Sequence, residues 1–231
     1  MREIVLDTET TGLEPAQGHR IIEIGCLELR NRTPTGPRYH AYINPERDVP
    51  EESQRITNLS TEFLLDKPVF ADVVDGFLEF IGDSALVIHN AEFDLKFLNA
   101  EFARVKKPKI LSERAVDTLQ IARRRFPGAP ASLDALCRRF DIALEDRKAK
   151  GHGALLDAEL LAQVYLELSG GRQPGLELVA AGGNGSTGGR NVAHQPVPPR
   201  PEPLPSRLSA DELARHDVAV VALGGSAIWR N

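Results

Sequence analysis

Glycine and proline are distributed unevenly along this chain, and their distribution divides it. Residues 170–207 hold eight of the 19 glycines and seven of the 16 prolines in a sequence of 231 residues. Because both residues interrupt helices and strands, a compact domain does not concentrate them in this way. We therefore expect a folded domain at 1–169, a flexible linker at 170–207 and a short C-terminal element at 208–231. A domain of that size buries roughly 70% of its unfolded surface and needs no disulfides.

The cysteines and the N-terminus bear on the compartment. Cys26 and Cys137 are too few for a disulfide framework, and each lies among apolar residues, so we expect reduced core cysteines. The first residues include an acid at Glu3 and lack the apolar stretch of a secretory signal. No apolar run approaches the roughly 20 residues of a membrane helix. The sequence therefore predicts a cytosolic protein.

The net charge of −5 conceals two regions of opposite sign. Residues 1–95 carry a net charge of −10, whereas residues 96–150 carry +7. This pattern is expected if carboxylates hold metal ions beside a surface that holds phosphates. A solvated helix surface would explain the basic region equally well. The candidate phosphate-binding residues in it are Lys106, Lys107, Lys109, Arg123–Arg125, Arg138, Arg139, Lys148 and Lys150.

The hydrophobic pattern predicts an α/β domain. Apolar runs and period-two alternation predict strands at 3–7, 20–29, 39–44 and 85–88, the third of them an edge strand. Helical spacing predicts helices at 70–81, 92–105, 117–126, 132–140 and 154–168. Three strands followed by alternating helices and strands indicate a mixed sheet flanked by helices.

Two carboxylates lie at the end of the first predicted strand. Residues i and i+2 of a strand point to the same face, so Asp7 and Glu9 are side by side, just before Gly12. Adjacent carboxylates repel each other unless a cation lies between them. The pattern therefore favours a metal site over the alternative of a solvated strand end.

A third acid follows the next buried strand. His89, Asn90 and Asp94 come directly after the strand at 85–88, where open α/β sheets place their ligands. Asp94 falls in the first turn of the following helix, where an acid also stabilises the helix dipole. Taken alone, Asp94 is explained by the dipole.

A histidine and a fourth acid flank the start of the last predicted helix of the domain. His152 lies between Gly151 and Gly153, and Asp157 lies among leucines one turn into the helix. A buried acid needs a partner or a metal. A histidine on a loop beside a metal site is suited to act as a general base, because its reference pKa is near neutral.

The ordered pattern Asp-x-Glu, Asp, His-x₄-Asp resembles the DEDDh group of 3′→5′ exonucleases, the DnaQ-like family, over about residues 1–169. This resemblance implies an RNase H-like fold and two divalent ions, Mg²⁺ or Mn²⁺. By the same resemblance, Asp7 bridges both ions, Glu9 and Asp157 support the ion that carries the attacking water, and Asp94 supports the other. His152 would take the proton of that water, and the product would be a nucleoside 5′-monophosphate.

The resemblance also implies a site for the terminal nucleotide of a single-stranded or frayed 3′ end of DNA. The residues that match it, or lie beside it, are Thr8, Thr11, Gly12, Leu13, Asn90 and His152. One departure from the family is Thr57-Asn58-Leu59, where a glycine often stands in the middle position. Asparagine tolerates the left-handed conformation, so we expect the turn to survive.

The C-terminal element has the features of a docking peptide. Ser209 and Glu212 form a capping box that starts a short helix, and Trp229 lies two residues before the C-terminal Asn231. This arrangement resembles the proofreading subunits of bacterial DNA polymerase III. It implies binding to the polymerase III alpha subunit through residues 208–231, with a disordered end as the alternative.

A second peptide follows the predicted domain. Residues 173–178, with Gln173, Leu176 and Leu178, resemble peptides that bind the beta sliding clamp, although six-residue patterns also arise by chance. The sequence therefore predicts a proofreading exonuclease subunit of a replicative polymerase. Two alternatives stay open: a free-standing DnaQ-like nuclease acting on RNA or repair DNA, and a mainly structural subunit between polymerase and clamp.

Overall fold

A mixed sheet of five strands forms the centre of the N-terminal part of this computed structural model. The structure describes residues 1–144, 152–171 and 209–223. The chain divides into two units, Met1–Leu178, which contains the sheet, and Val179–Asn231. The spatial order is β3-β2-β1-β4-β5. β1 pairs antiparallel with β2, and β2 with β3, whereas β4 is parallel to β1 and β5 to β4. The strands are β1 (Arg2–Thr10), β2 (Ile21–Arg30), β3 (Thr33–Tyr42), β4 (Ala85–Ile88) and β5 (Ala115–Asp117). The predicted mixed sheet, with an edge strand at β3, is confirmed.

Helices cover both faces of this sheet. Ile4 and Leu6 of β1 pack in one core cluster with two helices, at 70–81 and 91–104. Val5 packs in another cluster with three helices, at 118–125, 133–139 and 154–168. β1 is therefore apolar on both sides, as its continuous apolar run requires. The helices of this unit are α1 (Glu51–Thr57), α2 (Thr61–Leu64), α3 (Phe70–Ile81), α4 (Ala91–Arg104), α5 (Thr118–Arg125), α6 (Leu133–Arg139) and α7 (Ala154–Leu168).

Helix α7 crosses β2 at Gly25 with backbone against backbone. A Cβ atom at Gly25 would overlap the backbone of Ala154 and Leu155, at the start of α7. Only glycine permits this approach. Because Gly25 is the register partner of Asp7, the contact fixes the start of α7 beside the strand that carries Asp7.

Several elements differ from the sequence prediction. The pattern missed α1, α2 and β5, which have seven, four and three residues and are too short for a period to be read. The predicted helix at 117–126 starts one residue later, because Asp117 ends β5 and caps α5 through the N–H groups of Leu119 and Gln120. The predicted bounds of α3, β4 and α7 are confirmed. Cys26 and Cys137 are free and buried, as predicted.

The second unit contains one described helix, α8 (Ala210–Leu223). The predicted capping box is present: the Glu212 N–H donates to Ser209 Oγ over 3.3 Å, and the Ser209 N–H donates to Glu212 Oε2 over 2.8 Å. The predicted linker lies outside the described residues from 172 to 207. Among the described helices of both units, none has the length and apolar character needed to cross a membrane.

Candidate active site

Two carboxylates extend beyond the edge of the parallel part of the sheet. β1 pairs with β4 as far as Val5 and Val87, so Asp7 and Glu9 continue past the end of β4. They share the face of β1 that holds Val5, which is the face covered by α7. Ligands of open α/β sheets bind at this carboxyl edge.

Asp94 approaches from the opposite face, in the first turn of α4. Its side chain is buried, with a relative exposure of 3%, and Oδ1 accepts hydrogen bonds from Thr8 N (3.1 Å) and Thr8 Oγ1 (2.7 Å). Burial raises the pKa of Asp94 to about 7, while the two Thr8 donors act in the opposite direction. Thr8 therefore orients a carboxylate that would otherwise be costly to ionise.

His152 and Asp157 are brought to the same edge by the loop before α7 and its first turn. His152 Nδ1 lies 3.6 Å from Asp157 Oδ2; the Asp157 side chain is 5% exposed and that of His152 is 44% exposed. The His152 N–H donates to the carbonyl of Ile56 in α1 over 3.1 Å. The ring therefore stands at the rim, with its backbone held by α1.

The structure brings the four predicted acids and the predicted histidine together. One cavity of about 480 Å³ is lined by Asp7, Glu9, Asp94, His152 and Asp157. Within the described part of the chain, ligand atoms of Glu9, His152 and Asp157 lie within 4.8 Å of one another.

The side chains at this cavity fit a divalent cation. Carboxylate oxygens are the donors that hard cations such as Mg²⁺ prefer. Three of the acids converge from β1 and α7, and Asp94 is buried where a nearby cation would favour its ionised form. The donor set therefore suits a hard cation better than a soft one.

Four predicted substrate residues line a second cavity, of about 410 Å³. Thr8, Thr11, Gly12 and Leu13 border it together with Glu9. The Thr11 hydroxyl accepts a hydrogen bond from the backbone N–H of Arg20 over 3.0 Å. The Thr8 hydroxyl donates to Asp94, and Leu13, which is 78% exposed, offers an apolar side chain to a ligand.

Asn90 lies apart from this group. It is the N-terminal flanking residue of α4 in the left-handed conformation, with φ 69° and ψ 57°, and it lines the cavity of the acids rather than the second one. Its backbone N–H donates to Asp117 Oδ1 over 3.3 Å. The structure therefore does not bring Asn90 together with Thr11, Gly12 and Leu13.

Several residues that border the second cavity were not predicted as site residues, among them Phe93, Ile56 and His19. Phe93 lines both cavities, and its half-buried ring also packs against the core. Ile56 comes from α1, a helix that the pattern missed, and His19 packs its ring against Gly12. The sequence indicated this part of the cavity only through the predicted turn that follows α1, where Asn58 is left-handed, with φ 57°, as predicted.

Similarity to known proteins assigns the chain to a family. Residues 4–165 match the RNase T family of exonucleases. The DNA polymerase III subunit epsilon of Rickettsia felis is 56% identical over 182 residues, covering 78% of this chain and 79% of that protein. The subunit epsilon of Escherichia coli is 41% identical over 239 residues, covering 99% of this chain and 97% of that protein. The chain belongs to the exonuclease family of the DNA polymerase III epsilon subunits.

The fold agrees with this membership. A structure of exonuclease X with 5′-overhanging duplex DNA superposes with a TM-score of 0.58 at 24% identity, over 72% of this chain and 90% of that one. Membership in the exonuclease family implies dependence on divalent metal.

Some predicted residues lie outside the described ranges. These are the clamp-peptide residues Gln173, Leu176 and Leu178, the C-terminal Trp229, and the basic residues Lys148 and Lys150. Their proposed contacts stay predictions.

Proposed function

We propose that this protein is the proofreading 3′→5′ exonuclease subunit of a bacterial replicative DNA polymerase III, removing misincorporated nucleotides from the 3′ end. The observation that carries this proposal is the convergence of four carboxylates and one histidine on a single cavity at the sheet edge. Membership in the epsilon family connects that chemistry to replication.

Asp7, Glu9, Asp94 and Asp157 would hold two divalent ions, Mg²⁺ or Mn²⁺. Such a pair of ions stabilises the attacking and the leaving oxygen of an in-line phosphoryl displacement. Thr8 fixes Asp94 through two hydrogen bonds. The split of the acids between β1, α4 and α7 allows them to surround a phosphate from three sides.

His152 accepts the proton of the attacking water. Its ring is partly exposed at the rim of the cavity and lies 3.6 Å from Asp157, so water reaches it freely. The backbone hydrogen bond to Ile56 limits its movement. The products are a nucleoside 5′-monophosphate and a shortened strand.

The 3′-terminal nucleotide binds in the second cavity, lined by Thr8, Thr11, Gly12 and Leu13, which we call the nucleotide cavity. The exposed side chain of Leu13 presents an apolar surface to a base or sugar. Only an unpaired end enters a cavity of about 410 Å³. Because a mismatched end unpairs at lower cost than a matched one, this geometry favours removal of errors.

The catalytic assignment is tested by a double substitution, Asp7→Ala with Glu9→Ala. We expect loss of Mg²⁺-dependent 3′→5′ digestion of a labelled oligonucleotide, with an unchanged circular dichroism spectrum. The matched control replaces two exposed acids of α3, Asp72→Ala with Glu79→Ala, and should retain activity. Digestion by the Asp7/Glu9 variant at the wild-type rate would contradict the assignment.

Residues 208–231 bind the polymerase alpha subunit, and residues 173–178 bind the beta sliding clamp. Three apolar side chains of α8, those of Leu213, Val218 and Val221, are exposed, as a helix that binds a partner requires. Tethering through this segment would keep the nuclease at high local concentration near the growing end.

Two variants of the full chain separate these partners. Trp229→Ala should weaken co-purification with the alpha subunit and leave exonuclease activity intact. Replacement of Gln173, Leu176 and Leu178 by alanine should weaken clamp binding alone. Undiminished capture of the alpha subunit after deletion of residues 209–231 would contradict the docking role of this segment.

A further inference from the structure

The basic residues in and around α5 differ in what they contact. Arg125 Nη1 donates to the carbonyls of Glu167 and Leu168 over 2.7 and 2.8 Å, so it caps the end of α7. Arg139 stacks on the ring of Phe126, with 4.4 Å between the guanidinium carbon and the ring centre. These two cations have structural roles and are not free to bind a substrate.

Arg123 differs from both. It is exposed on α5, and among the described residues it has no ion pair, hydrogen bond or ring contact. It lines the cavity that holds the four acids. Asp117 is the acid nearest to Arg123 along the chain, and its carboxylate caps α5. An unpaired guanidinium at the rim of a phosphate-processing site is suited to bind phosphate.

Arg123 also borders a third space, a groove of about 1010 Å³ between α4 and α5. The groove shares Asn90, Leu119 and Arg123 with the cavity of the acids. On its other side, that cavity shares Thr8, Glu9 and Phe93 with the nucleotide cavity. The cavity of the acids therefore lies between the nucleotide cavity and the groove.

The order of these three spaces indicates the direction in which a substrate strand would run. If the 3′-terminal nucleotide occupies the nucleotide cavity and the scissile phosphate lies at the acids, the rest of the strand continues into the groove. The next phosphate on the 5′ side then lies close to the shared boundary, where Arg123 stands. The lining of the groove has mixed charge, with Lys96, Lys109 and Arg124 as well as Glu92, Glu113 and Asp117. Arg123 is the cation at the boundary that the groove shares with the cavity of the acids.

We propose that Arg123 binds the phosphate immediately 5′ of the scissile one and so positions the strand for cleavage, with the groove between α4 and α5 receiving the nucleotides upstream. This inference rests on the proposed exonuclease function and adds the path and polarity of the substrate strand. Arg123 is a substrate-binding residue in this scheme and takes no part in proton transfer.

The test uses two dinucleotides that differ by one phosphate, TpT and 5′-phosphorylated pTpT. Both contain the scissile linkage, but only pTpT carries the phosphate assigned to Arg123. For the wild-type chain with Mg²⁺, we expect kcat/KM to be about tenfold higher for pTpT than for TpT, the gain of one charge-assisted hydrogen-bonded contact. Arg123→Gln should abolish that preference, so that the two dinucleotides are hydrolysed with equal kcat/KM.

The matched control is Arg104→Gln. Arg104 is an exposed arginine on α4 without a partner among the described residues, and it borders none of the three spaces. This variant should keep the tenfold preference. With a longer single strand, Arg123→Gln should also reduce the magnitude of the slope of log(kcat/KM) against log[salt] by about 0.7, whereas Arg104→Gln should not.

Two results would overturn the proposal. One is a wild-type chain that hydrolyses TpT and pTpT equally well; the other is an Arg123→Gln variant that keeps the preference for pTpT. Either result leaves the exonuclease function standing, because hydrolysis of TpT by the wild-type chain measures that function separately.

Discussion

Substitution of Gly25 by alanine should displace part of the active site without touching a catalytic group. The new Cβ atom would overlap the backbone of Ala154 and Leu155 well inside 3.0 Å, whereas ordinary contact begins at 3.4 Å. Backbone atoms of a packed helix cannot rotate away as a side chain does. The start of α7 must therefore withdraw from β2 by about 1 Å, a misplacement that reduces a catalytic rate by about 100-fold.

The expected displacement acts on His152 and Asp157 because both stand at the start of α7. We expect single-turnover cleavage of an oligonucleotide with Mg²⁺ to slow by about 100-fold. Overpacking should also reduce the free energy of unfolding by about 1–3 kcal/mol, measured by urea denaturation. The rate is measured below the unfolding transition, so that loss of folded protein does not account for the slowing.

Gly76→Ala is the matched control for this experiment. Gly76 lies in α3, and a Cβ there would meet Tyr39 at 3.8 Å, an ordinary contact. Alanine is the better helix former by about 1 kcal/mol, so this variant should be slightly more stable and fully active. If the Gly25→Ala variant is folded and cleaves at the wild-type rate, the close approach does not position α7, and the reasoning is refuted.

The remaining predictions concern stability and metal. Glu101→Leu should lower the free energy of unfolding by about 3 kcal/mol, because Arg20 loses the buried carboxylate that it contacts at 2.6 and 2.8 Å and is left with Glu46, whose side chain is 58% exposed. Adding Arg20→Met should recover most of the loss in urea denaturation. Arg2 and Thr35 lower the pKa of Glu28 from 4.5 to about 2, so its contribution is present above pH 4.5 and is lost as the pH falls toward 2. Glu28→Gln should therefore destabilise the chain at pH 7, with a difference from wild type that disappears near pH 2 in thermal melts. Chelation with EDTA should stop digestion, and excess Mg²⁺ should restore it; persistent activity in EDTA would contradict metal dependence.

The ends of the strands made much of the site predictable. An apolar run that ends in Asp7 and Glu9, and a second buried strand followed by Asp94, place these acids at one sheet edge by the geometry of parallel strands. The left-handed Asn58 was predictable because the family resemblance indicates a turn there and asparagine tolerates that conformation. These are properties of short stretches of sequence.

Other features depend on packing between distant segments and were not predictable. The use of Arg125 as a cap depends on where α7 ends, some 40 residues later in the chain. Arg123 and Arg125 are indistinguishable in the sequence. Likewise, the contribution of Ile56 to the nucleotide cavity required α1, whose seven residues carry no readable period.

The hydrogen bond from His152 N–H to the Ile56 carbonyl has a consequence for fidelity. Ile56 borders the nucleotide cavity, while His152 borders the cavity of the acids. In the proposed mechanism, a nucleotide that displaces Ile56 would therefore also displace the backbone of His152, the proposed general base. This hydrogen bond would then couple the seating of the 3′ end to hydrolysis, so that a poorly seated end would lie next to a base that is out of position.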